Sequence, residues 1–402
     1  MTMISCAGSP PTRPDQDTRA LVRAANPGAL TPSSLVTRIL TVRSPYRRRS
    51  AARGRATPRS GSGHSVVTPG RPDPLTHAEA LVCFNSLAMP APSPRISIAS
   101  PTGQQWRIGH GRQEVVVCEV GATLRAYSVG PTQILDGFGT DEWSHSGRGQ
   151  VLAPWPNRLA DGRYEFNGVR AQAALDEPER RNAIHGLVRW MPWTLQTRHQ
   201  NQLSLRLQLH PSPGYPFSLL LEIEYHVGRE GLSVTTRAQS LEERPIPFGI
   251  GFHPYLRAGA DAVDGAILHV PARETLDMDD RGLPTGGLTP VEGTDRDFTT
   301  ARFVGPAVLD TAYTSLERDA DGLARASLLA PGGIDGAALW VDPGFPYLMV
   351  YTGDTLGDVQ RRRRAVAIEP MTCPPNALRT GNDVIVLEPG HEWTARWGIE
   401  PQ

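Results

Sequence analysis

The chain contains no lysine; all 41 basic side chains are arginine, and 41 acidic ones bring the formal net charge to +0. That balance gives no general attraction for polyanions, so neither nucleic acid nor an anionic membrane surface is indicated as a partner. The missing lysine reads as the coding bias of a GC-rich genome, not as a site. Cysteine is scarce. Cys6, Cys83, Cys118 and Cys373 fit no zinc-ligand spacing and read as free thiols in a reducing, cytoplasmic compartment. No apolar run approaches the roughly 18 residues of a membrane span. Helical stripes of useful length are absent after residue 89. Aromatics are only 6% of residues, against 40 glycines and 37 prolines. This composition, with many short alternating runs, fits an all-β chain.

Residues 1–88 differ from the rest. They hold 12 Arg against 4 acidic residues, with abundant Ser, Pro, Gly and Thr and no hydrophobic period. Such a segment buries too little apolar surface to offset its ordering entropy, so a disordered low-complexity extension is expected. Three origins compete: a true extension, an Arg-rich organellar transit peptide, or a start codon set too early, with translation beginning at Met89. The third is favoured, because organised sequence begins within ten residues of Met89. Residues 89–402, roughly 300 in number, suffice for one large β domain with a sizeable core.

Strand-like alternation starts at Arg95–Ile98 and recurs at Trp106–Ile108, Glu114–Val120 and Gly121–Val129. Gln202–Leu209 has a strict period of two, which places its four leucines on one face. Leu219–Val227 and Leu232–Ala238 repeat the pattern, separated by Gly- and Pro-bearing turns. The expectation is a large antiparallel β-sandwich, with any ligand on a concave sheet face or at strand ends.

Four stretches carry polar groups in apolar or stiff surroundings. Arg158 follows Pro154-Trp155-Pro156-Asn157, where proline limits the backbone. His185 lies in Asn182-Ala183-Ile184-His185-Gly186, at an expected strand end with close backbone approach. His253 lies in Gly251-Phe252-His253-Pro254-Tyr255, held extended by the following proline. Glu369 ends the apolar run Ala365–Ile368 and precedes Pro370; apolar neighbours disfavour its charged form, as a general base near neutrality requires. Asp310, within Val308–Thr314, is a further candidate, although an Asp so placed often only starts a turn. Arg361–Arg364 reads as a solvated charge run or as a phosphate clamp.

Taken together, these stretches resemble the aldose 1-epimerase (galactose mutarotase) family. The Pro-Trp-Pro-Asn-Arg turn, the Ala-Ile-His-Gly run, the Gly-Phe-His-Pro-Tyr run and Ala367-Ile368-Glu369-Pro370 with Pro375-Asn376-Ala377 occur in the family's order, over residues from about 90 to the end. The resemblance implies an antiparallel supersandwich and acid–base interconversion of α and β anomers of a free aldohexose, with no cofactor and no metal. It implies Glu369 as general base, His253 as general acid and His185 as a second histidine polarising the sugar. Arg158, Asn157, Asp310 and Tyr351 are implied as substrate-binding residues. The better-studied members have Asp-His-x-Phe where this chain has Asp310-Thr311-Ala312-Tyr313.

Opening a cyclic hemiacetal requires one group to take the anomeric proton and another to give one to the ring oxygen. This leads to the expectation of Glu369 ionised and His253 protonated, on opposite sides of the C1–O5 unit, with bell-shaped pH dependence. Alternatives are a non-catalytic sugar-binding or sensing protein, an epimerase for hexose phosphates, and a metallo-hydrolase built on His185 and His253, which lacks any paired ligand motif. The expected partner is a small sugar, and the expected assembly a monomer or weak homodimer.

Overall fold

The computed structural model describes residues 100–259 and 262–402. The expectations for residues 1–88, the start at Met89 and the strand at Arg95–Ile98 lie outside the described residues, as do Cys6 and Cys83.

Two large antiparallel sheets hold most of the strand residues. One has nine strands, in the order Thr194–Arg198, Gln202–Leu209, Leu219–Val227, Leu232–Ser240, Glu392–Pro401, Gly336–Val341, Ala324–Leu329, Ile267–His269 and Arg302–Phe303. The other runs Pro284–Pro290, Ala272–Met278, Asp310–Leu316, Tyr347–Tyr351, Val366–Met371, Gly251–Phe252 and Val151–Leu152. An eighth strand, Tyr255–Leu256, also pairs with Val366–Met371. A four-stranded meander from Gln105 to Gln133 adds a smaller sheet. Ala377–Thr380 is the sole α-helix among the described residues. No described helix is long and apolar enough to cross a membrane.

The nine-stranded sheet follows directly from its sequence. Leu203, Leu205, Leu207 and Leu209 are all buried, as their period of two requires. Register sets Leu205 opposite Ile223 and Leu203 opposite Tyr225, so apolar side chains meet across strands on one face. Each such leucine contributes about 1.5–3 kcal/mol on leaving water. The outer face carries Glu222 and Glu224, which pair with Arg206 and Arg237.

The second sheet contributes Tyr313, Leu348, Val350, Val366 and Ile368 to the same core as Leu221, Ile223, Tyr225 and Val234. The all-β sandwich is therefore the observed architecture. On the opposite face of the second sheet lie Ala312, Met349 and Met371 in one small cluster and Tyr255, Ala365 and Ala367 in another. Glu369 points to that face, two residues along from Ala367 and Met371. All six residues of Val366–Met371 are buried, so both faces of this strand are covered.

Candidate functional site

Register brings the two central groups together. Val366–Met371 pairs with Gly251 at Met371 and with Tyr255 at Ala367. Both pairings, continued inward, set His253 opposite Glu369 on the neighbouring strand. Their side chains touch, with His253 Nε2 3.2 Å from Glu369 Oε1. The His253 backbone is bracketed: its N–H donates to the Gln150 carbonyl at 3.3 Å and its carbonyl accepts from the Gly149 N–H at 2.9 Å. Gly147 lies directly on the imidazole. A Cβ there would stand 2.4 Å from His253 Cδ2, and the residue's φ of +76° also favours glycine.

Arg158 and His185 come from a second pairing, in which Arg158 faces Ile184 and Ala160 faces Asn182. At its end the His185 N–H donates to the Asn157 carbonyl at 2.9 Å, and the Asn157 N–H donates to His185 Nδ1 at 3.3 Å. Nδ1 therefore acts as an acceptor, which leaves the neutral imidazole's proton on Nε2. His185 follows the strand with φ of +64°, and Gly186 packs so closely that a Cβ would lie 2.0 Å from the Ala153 carbonyl oxygen. The close approach expected at this strand end is present. The Pro375-Asn376-Ala377 motif holds the Arg158 strand: the Asn376 N–H donates to the Arg158 carbonyl at 2.6 Å, and Asn376 Oδ1 accepts from the Ala160 N–H at 3.0 Å.

These elements enclose a cavity of about 500 Å³ lined by Asn157, Arg158, His185, His253, Asp310, Tyr351 and Glu369. All seven residues singled out from the sequence thus share one pocket, of a size usual for small-molecule sites. Asp310 is exposed at the start of Asp310–Leu316, directly across from Tyr351. Tyr351 packs beside Tyr255 and Ala367, its hydroxyl 2.9 Å from that of Thr355.

Several lining residues carried no signal in the sequence. Glu177 is the foremost. Its carboxylate accepts from Arg158 Nε at 3.0 Å and from Arg158 Nη2 at 3.1 Å, and from Asn182 Nδ2 at 2.8 Å. Arg158 is therefore a buried, anchored cation. Glu177 lies in Asp176-Glu177-Pro178-Glu179, where nothing distinguishes it from its neighbours. Arg189 and the half-exposed Trp190 complete the rim, the guanidinium 5.3 Å from the ring centroid. Aromaticity beside the Ala-Ile-His-Gly run was the available cue for Trp190.

The electrostatics differ from the sequence-based expectation in one respect. Burial pushes the Glu369 carboxyl well above its usual range; nearby Asp310 adds to this and Arg158 opposes it. Burial pushes His253 down to about 3, with Arg148 and Arg189 acting in the same sense. His185 is also held well below the ordinary histidine value by burial and by the neighbouring His253. These directions favour a proton on the Glu369 carboxyl over one on the His253 imidazole. Sheet register makes the two expected acid–base groups cross-strand neighbours, 3.2 Å apart.

The Arg361–Arg364 run is not a free clamp: Arg362 is exposed, and the other three guanidinium groups meet carboxylates. Arg361 and Arg364 pair with Asp136 at 3.3 and 3.1 Å, and Arg363 pairs with Asp354 at 2.7 Å and Asp264 at 3.2 Å. Arg362 Nε donates to the Leu356 carbonyl at 2.8 Å. Carboxylates brought in from distant parts of the chain take up the charges. Among the described residues, no group of three or more His, Cys, Asp or Glu side chains is placed to hold a metal ion.

Residues 104–400 match the family model described as aldose 1-epimerase. The chain is 31% identical over 290 residues to the uncharacterized protein YihR of Escherichia coli K12, across 72% of this chain and 90% of that protein. It is 26% identical over 276 residues to the aldose 1-epimerase of Escherichia coli K12, across 61% and 78%. Among solved structures, an aldose epimerase homologue from C. elegans superposes with a TM-score of 0.66 at 19% identity, covering 74% of this chain and 99% of that one; this likeness concerns the fold.

Proposed function

Since the chain belongs to the aldose 1-epimerase family, we propose that it interconverts the α and β anomers of a free aldohexose by acid–base ring opening and closure. The observation that carries this reading is the Glu369–His253 pair, 3.2 Å apart within a cavity that Asn157, Arg158, His185, Asp310 and Tyr351 also line. Glu369 takes the proton of the anomeric hydroxyl while His253 gives one to the ring oxygen. The C1–O5 bond breaks, the C1–C2 bond rotates, and closure returns both protons. In this cycle one proton passes between two groups: ionised Glu369 with protonated His253 before opening, neutral Glu369 with neutral His253 after it. Burial favours the second arrangement, which is the one that accompanies the open-chain aldehyde. A bound sugar favours the first, since its anomeric O–H donates to the carboxylate and its ring oxygen accepts from the imidazolium.

His185 presents its Nε2 proton to a sugar oxygen. The remaining Arg158 nitrogen donates to hydroxyls, and Asp310 accepts from them. Trp190 offers a face for sugar C–H groups at the rim. Buried free Cys118 and Cys373 accord with a reducing, cytoplasmic setting.

Polarimetry tests the reading. Freshly dissolved α-D-glucose and α-D-galactose are followed with the wild-type protein and with Glu369→Gln. Faster approach to the same final rotation, lost in the variant, is the expected result. No acceleration with either sugar overturns the free-aldohexose assignment. Activity requires one proton on the pair. It is lost in acid as His253 protonates and in alkali as Glu369 ionises, so kcat/KM should be flat between the depressed histidine and the raised carboxyl.

A further inference from the structure

The Arg361–Arg364 run leads to a buried arrangement behind the imidazole. Asp136, with 2% of its side chain exposed, holds three guanidinium groups: Arg148 at 3.2 Å, Arg361 at 3.3 Å and Arg364 at 3.1 Å. Arg148 is itself only 3% exposed. Its Cζ lies 4.4 Å from the centroid of the Tyr255 ring. The same ring carries His253, stacked at 4.9 Å with 14° between planes. Guanidinium, phenol and imidazole thus form a stack that ends on the group assigned to protonate the ring oxygen.

Every member of the stack is fastened. The Asp136 N–H donates to the Tyr255 carbonyl at 2.9 Å, so the carboxylate that holds Arg148 is tied to the strand bearing Tyr255. The Tyr255 hydroxyl donates to the Ser146 carbonyl at 3.0 Å. Arg148 Nη1 donates to the His145 carbonyl at 3.2 Å. Arg148 Nη2 is buried without a hydrogen-bond partner, so part of this cation is satisfied only by the ring face it covers. One carboxylate against three guanidiniums leaves the back of the stack positive, with Glu142 and Asp358 offsetting Arg361 only from the rim.

We propose that Arg148, anchored on Asp136, is a positioning residue for His253 that acts through the Tyr255 ring, fixing the imidazole and setting how readily it gives up its proton. The imidazole is faced by Glu369, His185, Tyr255 and the Gly147 backbone, with Arg189 nearby. Glu369 favours the imidazolium; Arg148 and Arg189 disfavour it. Arg148 thereby narrows the gap between the closed-ring complex, with its ion pair, and the open-chain complex, with its neutral pair. The arginine run serves the same stack, since Arg361 and Arg364 hold Asp136 from its outer side.

This inference rests on the proposed role of His253, and its test separates the two. In protein carrying 15N-labelled histidine and no sugar, the His253 ring nitrogens are titrated by NMR in wild type, Arg148→Gln and Arg148→Lys. Removal of a cation two aromatic spacings away should raise the His253 midpoint by about one pH unit in Arg148→Gln. Arg148→Lys, which keeps the charge, should stay near the wild-type value. The acid limb of kcat/KM should move upward with the midpoint. A folded Arg148→Gln with an unmoved midpoint overturns the inference, even if its rate is lower, because packing damage alone can lower a rate. Should Arg148→Gln fail to fold, the half-exposed Arg364→Gln reads the same field: a smaller upward shift supports the inference and none overturns it. Absence of mutarotation in the wild type would overturn the proposed function while leaving the titration to decide the role of Arg148.

Discussion

Strands Leu219–Val227 and Val366–Met371 present the same outline, apolar residues toward the shared core and a glutamate on the other face. Their glutamates lie in opposite surroundings. Glu222 faces water and meets Arg206 at 2.9 Å and Arg237 at 3.5 Å, all three partly exposed. Glu369 is covered by the His253 segment and the Arg158 hairpin, and only 3% of it remains exposed. The first strand alternates buried and half-buried residues along its length; the second is buried throughout. A strand face roofed by loops is thus the difference between a solvated carboxylate and one whose proton is retained far above the ordinary range.

The largest expected effect lies at the roofed glutamate. Glu369→Gln should lower catalysed mutarotation by about 10²–10⁴-fold, as loss of a general acid–base group does. Glu222→Gln provides the contrast and should leave the rate unchanged. The variants should also separate in stability. Between the ordinary carboxylate value and the raised value of folded Glu369, unfolding releases the proton of this group, so its contribution to stability declines with rising pH. Glu369→Gln removes that slope and should gain up to about 1.4 kcal/mol on the wild type for each pH unit in that window. Urea unfolding at several pH values reads the difference. A variant whose stability runs parallel to wild type would show that Glu369 is ionised in the folded protein.

The face turned to the core should respond in stability rather than chemistry. Ile368→Ala, one residue before the glutamate and fully buried, should cost about 2–5 kcal/mol in urea unfolding. A cost below 1 kcal/mol, on the order of a surface change, would contradict the two-faced reading of this strand.

Glu177→Gln tests the covering elements. It removes the carboxylate that occupies two nitrogens of Arg158 and frees the guanidinium to approach Glu369 or Asp310. About a tenfold loss in kcat/KM is expected, with the alkaline limb moving down as Arg158 favours ionised Glu369. A change in KM alone, with both limbs in place, would restrict Glu177 to sugar binding. The smallest effect belongs to Glu222→Gln in stability, within about 0.5 kcal/mol of wild type, because exposed pairs contribute little.

Much of this was legible in advance. The period of two in Gln202–Leu209 reports a half-buried strand because alternate side chains must choose between core and water. Glycine and proline beside His185, His253 and Glu369 mark places where the backbone is constrained, and all seven candidate residues line one cavity. Glu177, Arg148 and Asp136 were not legible. Each sits in a loop without hydrophobic period, and each matters through a partner far along the chain: Asp136 with Arg361 and Arg364, Arg148 with Tyr255. The arginine run shows the same limit. Four adjacent cations look like a surface feature until carboxylates are folded against three of them.

Local chemistry along the chain is enough to specify strands, turns and the residue types gathered at the cavity, since those depend on near neighbours and on the choice between water and core. The protonation of the Glu369–His253 pair depends on sheet register, on which loops roof the strand and on where Arg148, Arg158, Arg189 and Asp310 come to rest. Those are long-range distances and burial, and electrostatic energy in a low-dielectric pocket is a function of distance and burial rather than of order along the chain.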